Sequence, residues 1–313
     1  MEKFIHLIGK KAKIAINSKI NNKIKNRVLL KYASLINQSS KKIINENIKD
    51  VKFALKNGKK NNLINRLAIN QKKINSIRKA IKDITKLKDP VNVVLDKWKR
   101  PNGLLIKRVS IPIGIIGVIF ESRPNVASDI SSLSFKSGNA VILRGGSEAI
   151  NTNKILIKLF RKALKINKVN PNFVQLIEKK DRKYVDLILS KMSNYIDVII
   201  PRGGKNLVKK VQKLSTVPTI GHLEGICHTY VDKNANLNMA INVIYNAKLR
   251  NTGICGATET ILLNKKIVKK FCNPILKKLS DSGCKIVGDK YLQKFYKGKI
   301  IQSKDKDWST EYL

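Results

Sequence analysis

The chain has 313 residues, 42% hydrophobic and 27% charged, enough length and apolar content for two domains with cores of their own, which excludes small disulfide-stapled and disordered classes. Its 64 Lys plus Arg against 21 Asp plus Glu give a formal net charge of +43, carried by 53 Lys and only 11 Arg. The Lys are scattered between apolar positions and only 6% of residues are aromatic, so the chain lacks the basic stripe and stacking platform of a nucleic-acid binder; the Lys, Asn and Ile excess reads as compositional drift on solvated faces.

Residues 1–96 read as helices. Ile5, Ile8, Ala12, Ala15 and Ile16 fall on one face, as do Val28, Leu29, Tyr32, Ala33 and Ile36, and turn signals at Asn57-Gly58 and Asp89-Pro90 divide the region. The N-terminus lacks the apolar core and cleavage site of a secretory signal, and no apolar run reaches membrane-spanning length, so no membrane association is expected.

The pattern changes near Asn102-Gly103. Residues 104–120, LLIKRVSIPIGIIGVIF, predict a short strand, a bend and a buried strand ending at Phe120. A loop at 121–125, a helix through Lys136, a turn at Ser137-Gly138 and a strand at 140–143 complete a βαβ unit. Then come Gly145-Gly146, a helix at 152–164, a strand at 173–176, a helix at 184–189, a strand at 196–200, the turn Pro201-Arg202-Gly203-Gly204 and a helix through Leu214. This alternation predicts an α/β fold with a doubly wound, mostly parallel sheet and ligands at the carboxyl ends of its strands.

A second region starts near Pro218 with GHLEGICHTYVD, a helix carrying Leu237, Ala240, Ile241, Ile244 and Tyr245, then RNTGICGATETILL and a helix at 265–279. It reads as an α/β domain that stops early. The expected division is 1–216 for a cofactor domain with N-terminal helices and 217–313 for an incomplete catalytic domain.

In a chain so poor in Arg, Arg123, Arg144, Arg202 and Arg250 all sit in turns beyond expected strands or helices. Only Arg grips phosphate or carboxylate bidentately, so these positions point to anion binding, with loop bracing the alternative. Gly145-Gly146 and Gly203-Gly204 each follow a buried strand and precede a helix, where bare backbone N–H groups and the helix dipole favour phosphate. Neither is a G-x-G-x-x-G fingerprint.

Four Cys stand at 227, 255, 272 and 284, without the close spacing of a zinc or dithiol site, and free thiols suit a reducing cytoplasm. Cys255 lies between Gly253 and Gly256, on a loop or first helical turn just before an expected strand, exposed and beside N–H groups that can face an oxyanion. Cys227, Cys272 and Cys284 have strand, helix and turn settings that predict ordinary packing or exposure. Cys227 and His228 are adjacent on a strand and so face opposite ways, which rejects a Cys–His dyad.

The runs VSIPIGIIGVIFESRPNVASDISSLSFKSGNAVILRGGSEA, IDVIIPRGGKNLVKKV, HLEGICHTYVD and NAKLRNTGICGATETILL, taken in order with KNRVLLKYASLINQSSKKIINENIKDV and the DRK turn at Asp181, closely resemble the gamma-glutamyl phosphate reductases of the aldehyde dehydrogenase superfamily. The resemblance runs from Met1 to the last residue. It implies an aldehyde-dehydrogenase-like fold and NADPH-dependent reduction of L-glutamyl 5-phosphate to L-glutamate 5-semialdehyde and phosphate, in proline biosynthesis. Cys255 would be the nucleophile, through a thioester, and NADPH would lie near Glu121, Ser122, Arg123 and Pro124, near Arg144, Gly145 and Gly146, and near Arg202, Gly203 and Gly204. FESRPN stands where most aldehyde dehydrogenases have Trp-Asn, so Asn125 is the candidate for the oxyanion Asn. Arg123, Asn125, Arg250 and Asn251 are open alternatives for the glutamate carboxylate. The resemblance also implies a cytoplasmic homo-oligomer, association with a glutamate 5-kinase, and further family sequence after WSTEYL. On that last ground, a catalytically inactive, shortened relic of the same enzyme is the alternative reading.

Overall fold

The computed structural model describes residues 1–59, 61–121, 123–221, 223 and 225–312. The chain divides into two compact units, Met1–Gly221 and His222–Leu313. Among the described residues, five helices open the first: α1 (Glu2–Ile16), α2 (Asn22–Gln38), α3 (Ser40–Lys56), α4 (Asn61–Leu67) and α5 (Gln71–Lys86). Apolar stripes at helical spacing drive them inward, as with Ile74, Ile77, Ile81 and Ile84 of α5. Asn21 and Asn70 cap α2 and α5 by accepting the N–H groups of Ile24 and Lys73. After α3, Gly58 takes φ +63°, the left-handed conformation the Asn57-Gly58 signal calls for.

The helical reading of residues 1–96 runs slightly too far. Val94–Lys99 is β1, antiparallel to β2 (Leu105–Val109), with Gly103 at φ +85° in the turn between them. Every residue of β1 is exposed, so no burial period marks it in the sequence, and pairing to β2 defines it.

The sheet then follows in the expected alternation: β3 (Ile115–Phe120), α6 (Pro124–Lys136), β4 (Ala140–Gly145), α7 (Ile150–Ile166), β5 (Val174–Leu176), α8 (Lys183–Lys191), β6 (Val198–Arg202) and α9 (Lys205–Leu214). The four strands are parallel in the order β5-β4-β3-β6, and β3 and β4 are buried throughout, as continuous apolar runs require. The path moves from β3 out to β5, then returns past β3 to β6. Right-handed crossovers therefore put α6 and α7 on one face, under α2, α3 and α5, and α8 and α9 on the other, where α1 also packs. Phe135 meets Phe160 and Phe173 edge to face, and Tyr32 lies tilted on Phe160, in the core of the first side.

In the second unit β7 (Cys227–Val231), α10 (Leu237–Leu249) and β8 (Thr258–Leu263) form a βαβ unit with β7 parallel to β8, followed by α11 (Val268–Asp281). Val231, Ala240, Ile244, Phe271, Ile275 and Leu279 make its core. Val287–Gly288 and Ile301–Gln302 add a short parallel pair.

Candidate active site

The register of the first sheet sets Phe120 opposite both Gly145 and Arg202, so the three turns singled out in the sequence leave the sheet at one edge. The order of strands reverses between β3 and β6, the point at which open α/β sheets form a ligand crevice. Glu121 follows β3 there. Its N–H donates to the Arg202 carbonyl at 3.1 Å, and its Oε2 accepts the Gly204 N–H at 3.0 Å. A Cβ on Gly203 would lie 2.7 Å from that carboxylate oxygen and 2.8 Å from Leu207 Cδ2, so the turn closes this tightly only with a bare backbone. Arg202, Gly203 and Gly204 are exposed, Arg123 stands before α6 and Pro124 opens it. Ser122 lies outside the described residues.

Arg144 takes the bracing alternative. It is 8% exposed and donates to the carbonyls of Gly145 and Lys180, each at 3.0 Å. Burial pushes its guanidinium down, with the nearby Glu148 carboxylate opposing.

The two Gly turns differ in what they offer an anion. After Gly145-Gly146 a single 3-10 turn intervenes, and the first N–H groups of α7, from Asn151 and Thr152, donate to the Asp50 carboxylate at 3.1 and 2.8 Å. Asp50 comes from α3 and is 1% exposed, so an internal anion already fills that helix start. The sequence reading missed this cap. Its signal was a carboxylate on the buried face of α3, in line with Ile43, Asn47 and Ala54. At α9 the corresponding carboxylate, Glu121, is at the surface.

Asn125 lies in the first turn of α6, exposed, and its Nδ2 donates to Asp129 at 3.0 Å. Burial pushes the Asp129 carboxyl up, and this hydrogen bond pulls it partly back.

Cys255 sits in the turn between α10 and β8, closed by the Ala257 N–H donating to the Ile254 carbonyl at 3.0 Å. It is half-buried and Gly256 beside it is exposed. No helix begins there, so the loop alternative holds. The segment that leads into β7 runs under this turn. A Cβ on Gly225 would lie 2.8 Å from the Cys255 carbonyl oxygen and 3.1 Å from its Cβ, while the Cys227 thiol donates to that same carbonyl at 3.2 Å. Thr229 Oγ1 continues the line at 2.8 Å from Thr258 Oγ1. No local pattern in the sequence names the turn that Gly225, Cys227 and Thr229 meet. His228 points away, exposed, with Nδ1 2.8 Å from the Ile226 carbonyl oxygen, in keeping with the rejected dyad.

Cys272 is fully buried, and burial, with Asp289 adding to it, pushes its thiol up. Arg250 and Asn251 are exposed beyond α10. A cavity of about 710 Å³ opens in this unit among Lys248, Thr258, Glu259, Cys284 and Trp308. Cys255 is not part of its lining. Among the described residues no group of His, Cys, Asp and Glu could hold a metal ion, and no helix is long and apolar enough to cross a membrane.

A doubly wound parallel sheet with a switch-point crevice, followed by a βαβ unit carrying a cysteine in a glycine turn, agrees with the family-model comparison: residues 5–313 match the aldehyde dehydrogenase family, to which the chain belongs. Gamma-glutamyl phosphate reductase of Brucella suis is 42% identical over 308 residues, 98% of this chain and 73% of that protein. The enzyme of the same name from Allorhizobium ampelinum is 41% identical over 289 residues, 92% of this chain and 67% of that one. The crystal structure of gamma-glutamyl phosphate reductase from Thermotoga maritima is matched with a TM-score of 0.91 at 38% identity, over 97% of this chain and 74% of that chain. Within the aldehyde dehydrogenases, the chain is a member of the gamma-glutamyl phosphate reductases, and so an oxidoreductase.

Proposed function

We propose that this enzyme catalyses NADPH-dependent reduction of L-glutamyl 5-phosphate to L-glutamate 5-semialdehyde and phosphate, with Cys255 as nucleophile. The observation that carries the reading is the setting of Cys255, a half-exposed thiol between Gly253 and Gly256 in a chain of this family. The Cys255 thiolate attacks the acyl phosphate carbon and expels phosphate, leaving a thioester. Because a thiolate attacks and phosphate leaves as an anion, this step needs no strong general base. NADPH, when bound, supplies the hydride that takes the thioester to a thiohemiacetal. Collapse of that adduct frees the aldehyde and returns the thiolate.

For the cofactor, what supports the reading is the crevice between β3 and β6, where exposed Arg202, Gly203 and Gly204 face the surface beside Glu121. Arg123, Pro124, Arg144, Gly145 and Gly146 would frame it. Arg144 acts by shaping the turn, with Nη1 and Nη2 on the carbonyls of Gly145 and Lys180. In this reading residues 1–216 are the NADPH domain and 217–313 belong to the catalytic domain. Asn125 serves as the oxyanion amide through the Nδ2 hydrogen that Asp129 does not take. Homo-oligomerisation and association with a glutamate 5-kinase accompany the proposal.

Calorimetry with NADPH and NADH tests the cofactor. NADPH is to bind more tightly, and the preference is to persist as salt is raised, because nonspecific attraction to a +43 chain is screened. Equal affinities would contradict it. Cys255→Ser is to abolish phosphate-dependent oxidation of glutamate semialdehyde, and retained turnover would overturn the nucleophile.

A further inference from the structure

We propose that Cys227 and Cys255 form a reversible redox pair, in which a hydroperoxide oxidises the two thiols to a disulfide that takes Cys255 out of use. The loss of catalysis rests on Cys255 being the nucleophile, but the cross-link itself does not.

A disulfide needs Cβ atoms about 3.5–4.5 Å apart and Cα atoms within about 7 Å. The Cys227 sulfur already lies 3.2 Å from the Cys255 carbonyl oxygen. The approach is made possible by Gly225, whose missing side chain lets the Cys255 turn settle on β7; a Cβ there would be only 3.1 Å from Cys255 Cβ. Cys227, two residues further along, opens β7 and turns its thiol onto the same Cys255 carbonyl. Both thiols are half-buried, within reach of a molecule the size of peroxide. Cys272 is fully buried among Val268, Leu276 and Tyr296, and Cys284, also half-buried, lines the cavity that Cys255 does not.

The chemistry balances with one hydroperoxide per pair. The Cys255 thiolate attacks the peroxide O–O bond, giving a sulfenic acid and, from hydrogen peroxide, hydroxide that is protonated to water. The Cys227 sulfur then attacks the Cys255 sulfur, its proton going to the departing hydroxide as a second water. Two thiols have lost two electrons, and the peroxide has gained them. A dithiol reverses the bond by exchange. Without Cys227 the sulfenic acid has no neighbouring thiol and goes on to sulfinic acid, which a dithiol does not rescue.

The test treats the whole chain with hydrogen peroxide, alkylates the remaining thiols with iodoacetamide and maps tryptic peptides without reduction. The expected product joins LSTVPTIGHLEGICHTYVDK to NTGICGATETILLNK. Labelling of Cys255 is to fall about tenfold and to return after dithiothreitol. In Cys227→Ser the joined peptide is to be absent and Cys255 labelling is not to return. Cys255 found as sulfinic acid in the wild-type chain, joined to Cys272 or Cys284, or equally recoverable in Cys227→Ser would overturn the pair. Peptide mass reads all of these without turnover, so a failed nucleophile assignment and a failed cross-link give different results.

Discussion

Asp50 does the work at the start of α7 that bare amides were expected to leave for a phosphate. Its carboxylate takes the N–H groups of Asn151 and Thr152 and the Thr152 hydroxyl, the last at 2.6 Å, and it is almost wholly buried. Asp50→Ala strands those donors in the interior, so chemical denaturation is to show a loss of about 3 kcal/mol, with Asp50→Asn losing less. A loss within error would contradict the cap. At Asp129, burial raises the folded-state pKa and the Asn125 amide opposes the rise. The stability this group contributes is complete below the ordinary carboxyl value and is lost as pH climbs through the raised one. Asn125→Ala removes the opposing hydrogen bond, so carboxyl NMR titration is to place Asp129 higher in the variant. A shift downward would contradict the assignment.

At the scale of elements, Gly145 shows why the end of β4 is bare. A Cβ there would overlap Asn153 Nδ2 and lie 2.9 Å from Phe120 Cζ, both in fully buried side chains that have nowhere to move. Gly145→Ala is to cost about 1–3 kcal/mol in a thermal melt through overpacking, and an unchanged midpoint would count against the crowding. Buried elements such as β3, β4 and α7 were readable from the sequence because apolar periodicity records burial, and the Gly turns recorded their ends. The exposed β1 left no such record, and its existence depends on pairing with β2. The Asp50 cap and the approach of Cys227 to Cys255 were hidden for a related reason. Each joins residues far apart in the chain, and no local pattern names the partner. Arg144 was identified correctly as unusual, but only its surroundings decide between gripping a ligand and bracing a turn.

For the whole molecule, 64 basic against 21 acidic side chains make self-repulsion a standing cost of folding. Screening relieves it, so the melting temperature is to rise between about 20 and 300 mM sodium chloride as the Debye length shrinks. A fall over that range would mean that ion pairs outweigh repulsion.

The central claim is that Cys255 carries the acyl group, and the reverse reaction isolates it. Glutamate 5-semialdehyde and NADP+ are given to the enzyme without phosphate, so the thioester forms and cannot be discharged by its normal acceptor. A burst of one NADPH per competent site is expected and, after acid quench, a glutamyl group on the peptide NTGICGATETILLNK that disappears when phosphate is added before the quench. A burst with the acyl group on another residue, or NADPH formed with no covalent adduct, would contradict it.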